Sequence, residues 1–348
     1  MLVNDIYLDS LGVRLGRRLD LAEAAADGRY AASEHIANGL LGVTVSEDDH
    51  APDLAVAAVR QALERSEADP ADVRLLLHAS AYFQGQDMWT PSSYIQHHTI
   101  GGGAPAVEVD QKSNGGLAAL SLASTFLAAC EDTAAVLITT GERFCLPGFD
   151  RFRTESGTVM ADGGTAMLLT RRPGFARVVS CVLTSDSSLE GMYRGRTLKD
   201  APAAGDKPLN MRGRKADFMR RHLSDLEEIS LRVADGISGC LQQALAEAKC
   251  EADDIRRFVM PNNGQTVRWW GMLAEMGVER ERTTWEFGRQ ISHLGSGDQA
   301  AALDHLLRTG QLAAGDRVLL AGAGYGFNWG AAVLEILNVP DWAAADAS

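Results

Sequence analysis

The chain has 348 residues, of which 46% are hydrophobic and 23% charged, and its formal net charge is −13. That length and composition suit a globular protein built as two units or one large layered one. The negative balance argues against bulk nucleic-acid binding, and no apolar run reaches the ~18 residues that a membrane span needs.

The N-terminal stretch MLVNDIYLDSLGV lacks the basic and apolar segments of a signal peptide. Five cysteines, an odd number, are widely spaced with no CxxC pair, which reads as reduced thiols in a cytoplasmic protein without a metal site. Further on, QALERSEADPADVRLLLHAS (residues 61–80) reads as an amphipathic helix, an acidic connection and an apolar strand. Trp89 follows in QGQDMWTPSSYIQ, where a core aromatic is the simplest reading. The run APAVEV (104–109) then leads through a polar turn to Ser113, Gly115 and Gly116, and into a helix-forming stretch. A serine displayed between a strand and a helix is a candidate nucleophile. Residues 186–224 are polar and rich in Gly, Pro and Ala, which suits an excursion or lid. A basic island, 194–221, lies in this segment and suits an acidic or phosphorylated partner.

The C-terminal part repeats the N-terminal part. QALAEAKCEADDIRRFVMPN (243–262) matches 61–80 at an offset of 182 residues, and SGDQAAALDHLLRTGQLAAGDRVLLAGAGYGF (296–327) matches 113–144 at an offset of 183. Two such blocks in one order predict two similar α/β halves about a pseudo-twofold axis, over 1–172 and 226–348, with 173–225 connecting them. The loop of Ser113 is then expected to meet the loop around 293–298.

A serine hydroxyl needs a base, and the base needs an orienting group. Of the eight histidines, His293 lies in the loop that the repeat brings to Ser113. Asp298 follows five residues later, between glycines and a helix, where it can fold back on the imidazole or act as an N-cap. Backbone donors for an oxyanion are expected from Ser113 itself and from the glycine-rich turn Gly324, Tyr325, Gly326.

These stretches resemble the thiolase-fold ketoacyl-ACP synthase III family over most of the chain. The likeness extends to SGTVMADGGTAMLL (156–169), similar to the family's G-D-G-A-G-A region, and is most specific at 302–332. It implies an α/β thiolase-like fold with two pseudo-symmetric halves in αβαβα layers, and a homodimer. The condensing enzymes of that family carry cysteine, histidine and asparagine. Here the matching positions are Ser113, Asn262 and His293, with Asp298 added. This set is similar to acyltransferases of antibiotic pathways in which the histidine and aspartate are five residues apart. The resemblance implies an acyl-Ser113 intermediate, His293 as base and Asp298 as its orienter. It further implies transfer to a hydroxyl or amine of a sugar, aminocyclitol or similar acceptor.

Two alternatives remain: a serine-dependent starter-unit ketosynthase of a polyketide pathway, using Asn262 and His293 as a swapped pair, and a catalytically retired partner of another synthase. The substrate pocket is expected to include Asn262, Gly324, Tyr325, Gly326 and Trp89, the last reaching into a partner copy. The family's adenine-stacking tryptophan and arginine have no counterpart here. An acyl carrier protein is therefore favoured over acyl-CoA as donor, docked by Arg268, Arg212, Arg214 and Lys215. No cofactor is expected beyond the phosphopantetheine-linked thioester.

Overall fold

Each repeat folds by the same alternation. Helix Ala51–Glu64 begins at His50, whose side chain accepts from the backbone of Asp53 while the Asp53 carboxylate accepts from the His50 amide. The apolar run after it has a strand's period of two: Leu76 faces an outer core, and Leu75 and Leu77 face a central one. The computed structural model describes residues 3–131, 133–198, 207–267 and 269–344.

The first half contributes β1 (Tyr7–Leu15), β2 (Arg17–Asp20), β3 (Gly42–Val45), β4 (Val73–Ala79), β5 (Ala106–Val109), β6 (Ala135–Glu142) and β7 (Gly163–Thr170). The second contributes β8 (Ala176–Ser185), β9 (Ile255–Val259), β10 (Arg317–Gly324) and β11 (Asn328–Ile336). β2 and β3 form a small ribbon, and the others run in the order β5-β4-β6-β7-β1-β8-β11-β10-β9.

The order carries the symmetry. β4-β6-β7-β1 is matched by β9-β10-β11-β8, and in both sets the first pair is parallel and the next two are antiparallel. The halves join where β1 pairs with β8 at Tyr7↔Arg177 and Leu8↔Ala176. Helices Gly115–Leu127 and Asp298–Arg308 lie between the half-sheets, helix Ala51–Glu64 covers the outside of one, and helix Leu226–Glu247 covers the outside of the other. These are the αβαβα layers expected. Helix Gly115–Leu127 is buried on the faces turned to the half-sheets and leaves Leu122, Thr125 and Phe126 exposed.

One expected boundary moves. The segment 173–225 was to connect the halves, yet β8 within it is the first strand of the second half. The excursion proper follows β8. It carries helix Met211–Arg221 and is pinned over the first half by Leu209 N–H to Gly148 O (2.9 Å) and Arg212 N–H to Thr154 O (3.1 Å). Among the described residues, no helix is long and apolar enough to cross a membrane.

Candidate active site

Ser113 sits in the one-turn 3-10 helix Lys112–Asn114, between β5 and helix Gly115–Leu127. The chain turns sharply there, and Lys112 takes a left-handed conformation with φ 51°. Gly116 lets the second loop close on this turn, since a Cβ there would stand 2.5 Å from Ser296 O. Ser296 Oγ in turn lies 3.1 Å from Lys112 O and 3.0 Å from Glu142 Oε1 and shares its one proton between them.

The expected triad is assembled. Ser113 Oγ is 2.8 Å from His293 Nε2, and His293 Nδ1 is 2.5 Å from Asp298 Oδ2. The carboxylate fixes the proton on Nδ1, which leaves Nε2 free to accept from the serine. Asp298 is not the N-cap: Gly297 holds that position, and the carboxylate turns back into the core. There Oδ2 also accepts from the Asn262 amide (2.9 Å), while Oδ1 accepts from Asn262 Nδ2 (2.9 Å) and Leu294 N–H (2.7 Å).

Burial disfavours the His293 imidazolium, but the charge and hydrogen bond of Asp298, with help from Glu142, outweigh it and hold the pKa above the usual imidazole value. Glu142 is fully buried at the end of β6, and its Oε1 accepts from Ala81 N–H (2.7 Å), Ser296 N–H (3.2 Å) and Ser296 Oγ–H (3.0 Å). Burial pushes its carboxyl up to about 7 against those hydrogen bonds. Sequence reasoning missed Glu142 and Ser296. The repeat offers the only signal, because it makes Ser296 the counterpart of Ser113.

Two cavities reach Ser113. A cavity of about 440 Å³ is also lined by His293, Glu155, Asn263, Lys215 and Trp269, and one of about 370 Å³ by Tyr82, Phe144, Phe149, Met160 and Leu209. The Tyr325 and Gly326 amides, in the turn after β10, make no backbone hydrogen bond to other described residues, so both are available to an oxyanion. Gly324 serves instead for close approach, because a Cβ there would lie 2.1 Å from Gln111 O. Gly326 lies beside Tyr325 in the turn between β10 and β11.

Asn262, Arg212 and Arg214 are placed otherwise than expected. Asn262 lines neither cavity at Ser113, because its amide is committed to Asp298 behind the imidazole. Trp89 is 39% exposed, packs edge-on against Tyr94, and lines neither cavity of its own chain. Arg212 is an internal strap, paired with Glu34 and donating to the Glu155 and Phe152 carbonyls (2.9 and 3.0 Å). Arg214 donates to Tyr193 O (3.0 Å). Lys215 lines the larger cavity, and Arg268 lies outside the described residues. Much of the basic island is neutralised locally, since Arg196, Arg220 and Arg221 all pair with Asp217. Among the described residues no cluster could hold a metal ion.

Residues 245–336 match the family model described as 3-oxoacyl-[acyl-carrier-protein] synthase III, C terminal. The β-ketoacyl-[acyl-carrier-protein] synthase III of Clostridium perfringens is 22% identical over 303 residues, 84% of this chain and 86% of that protein. Among solved structures, the acyltransferase ChlB3 is 35% identical with a TM-score of 0.91, covering 97% of this chain and 99% of that one. The priming β-ketosynthase of the R1128 polyketide pathway shares the fold, with a TM-score of 0.75 at 19% identity over 96% of this chain and 97% of that one.

The geometry makes two titrations measurable. Asparagine at position 298 would set an amide donor against two of the four donors that Asp298 now accepts. Asp298→Asn is therefore expected to cost about 1–3 kcal/mol of stability. It should also slow any Ser113-dependent turnover, by up to the ~10⁴ seen for the matching change in a serine protease. The pH limb that reports His293 should move to lower pH, because the raising charge is gone. A limb that stays in place would remove Asp298 as the group that charges the imidazole.

Glu142 gives the second titration. Its folded-state value of about 7 exceeds the ordinary 4.5, so the folded protein keeps a proton that the unfolded chain has released. Its contribution to stability is complete below about 4.5 and is lost as pH rises through about 7. The melting temperature of Glu142→Gln minus that of the wild type should rise across this window. A difference that is flat with pH would contradict the raised value.

Proposed function

The chain belongs to the ketoacyl-ACP synthase III-like family of the thiolase fold, and on that premise we propose that it is an acyltransferase working through an acyl-Ser113 intermediate. The observation that carries this reading is the unbroken line Ser113–His293–Asp298 at the base of a cavity. In the first half-reaction Ser113 Oγ attacks the thioester carbonyl and its proton passes to His293 Nε2. The Tyr325 and Gly326 amides hold the oxyanion. The intermediate collapses to the serine ester, and the thiol leaves with the proton from His293. In the second half-reaction an acceptor hydroxyl or amine gives its proton to His293 and attacks the ester. Collapse releases the acylated acceptor, and His293 returns the proton to Ser113.

A condensing reaction needs donors for an enolate at the thioester oxygen. Asn262 would have to supply one, and its amide is turned to Asp298 and lines neither cavity at Ser113. This supports transfer to an oxygen or nitrogen acceptor, with sugars and aminocyclitols as the acceptor class that the resemblance implies. The family's names point to an acyl carrier protein as donor, and Lys215 is the described cation of the expected docking set that lines the larger cavity. A cytoplasmic site of action suits this donor. The free cysteines fit it too.

We also propose a homodimer. β5 is an edge strand with Val107 exposed, and Leu122 and Phe126 are exposed on the helix that follows it. A second copy added along β5 would cover an apolar edge that a lone chain leaves open. Sedimentation equilibrium should give twice the chain mass, and a monomer at micromolar concentration would end this proposal.

Incubation with acyl-pantetheine thioesters should add one acyl mass to the wild type and none to Ser113→Ala, without CO2 release from the malonyl thioester. An equal adduct on both proteins would reject Ser113 as nucleophile. Stoichiometric CO2 would favour the condensing alternative.

A further inference from the structure

Of all the residues lining the two cavities at Ser113, two line both: Ser113 itself and Tyr325. Tyr325 therefore stands where the cavities meet. It is held from two sides. Tyr193 stacks on it with centroids 3.8 Å apart and an interplanar angle of 23°. Its hydroxyl donates to Glu155 Oε2 (3.3 Å), and Tyr193 bonds the same carboxylate. Glu155 is only 5% exposed and is itself fixed by the Ser156 amide (2.8 Å). The chain neighbours of Tyr325 are Gly324 and Gly326, so no adjacent side chain shares the wall.

The cavities differ in chemistry. His293 lines the larger one and not the smaller. Any group that must lose a proton to His293 Nε2 has to arrive through the larger cavity. An acyl group on Ser113 must leave that approach clear, and the smaller cavity, lined by Tyr82, Phe144, Phe149, Met160 and Leu209 and also by the charged Glu108, Asp110, Lys112 and Arg214, is the space that remains.

We infer that Tyr325 is a specificity-determining partition, which divides the acyl cavity of about 370 Å³ from the larger one and restricts the enzyme to compact acyl groups. The inference rests on the acyl-Ser113 reading and goes beyond it by naming the acyl size class and the residue that sets it. Both half-reactions then use the larger cavity as entrance, while the acyl tail stays behind the ring. The Tyr325 backbone amide keeps its place at the oxyanion whatever the side chain does.

The test is a series of acyl-pantetheine thioesters from acetyl to dodecanoyl, with Ser113 acylation followed by intact mass and each protein normalised to its own acetyl rate. The wild type should lose about tenfold or more in rate beyond a chain-length limit, and Tyr325→Ala should restore about tenfold to the longest donors. Tyr325→Phe keeps the ring and its stacking on Tyr193, so it should keep the wild-type limit. Equal profiles for wild type and Tyr325→Ala would overturn the partition, as would a shift in Tyr325→Phe as large as that in Tyr325→Ala. If Tyr325→Ala does not fold by circular dichroism, Tyr193→Ala removes the stacking partner and should shift the limit the same way.

A wild type that forms no adduct with any thioester would reject the acyl-serine reading itself. The partition would then be measured by calorimetry in a Ser113→Ala background, where no ester can form. There Tyr325→Ala should bind the dodecanoyl thioester about tenfold more tightly. Equal affinity would again overturn the partition.

Discussion

The site depends on the Asp298 carboxylate. It is fully buried, where an unpaired charge would be prohibitive. Four donors satisfy it: the Asn262 amide and side chain, the Leu294 amide and the His293 ring. These donors come from two segments, one following β9 and one preceding helix Asp298–Arg308. The ion that orients the imidazole is thus also the ion that ties these segments together. A change that disturbs the charge must loosen the loop that carries His293.

Glu142 is the second carboxylate near the imidazole and is solved differently. One of its oxygens takes all three of its donors, and Oε2 has no partner among the described residues. Burial is therefore only partly offset, and the carboxyl is pushed up to about 7. Its donors are the Ala81 amide and Ser296, so it joins the end of β4 to the loop that holds His293. Two buried acids a short way apart acquire different tasks because their donors are distributed differently. One charges the His293 imidazole, and the other fastens the loop beneath it.

The sequence made the periodic features legible. The constant offset between repeats identified matched helices and strands, and from their symmetry it followed that the loops of Ser113 and His293 would touch. Asn262 could be placed near the site by resemblance, but not the direction of its amide, which is set by where Asp298 turns. Asp298 read as either the orienter of His293 or a cap, because both are local, whereas its bonds to Asn262 are fixed by tertiary packing. Arg212 and Arg214 read as a docking surface because a run of like charges is visible in sequence and its counterions are not. Glu34 is 178 residues from Arg212 along the chain and gives no sign of the pairing. Glu142, Glu155 and Tyr193 went unnoticed for the same reason: each acts through neighbours that only the fold supplies.

The repeat also explains why one half carries Ser113 and the other His293. Ser296 is the counterpart of Ser113 at an offset of 183, yet it is buried and spent on Lys112 O and Glu142. At the same offset His293 corresponds to Asp110, and Asp298 to Gly115. Asp110 is exposed and pairs with Lys112, so Ser296 has no imidazole to activate it. Nor could the first loop acquire its own acid at the matching position. A Cβ on Gly115 would stand 2.9 Å from the Ala79 Cβ and 3.1 Å from Ser296 Oγ, leaving no room for a carboxylate. The close approach that delivers His293 to Ser113 is the same approach that forbids a second triad. Two similar loops meeting at one axis can thus share a single active site only by dividing its parts between them.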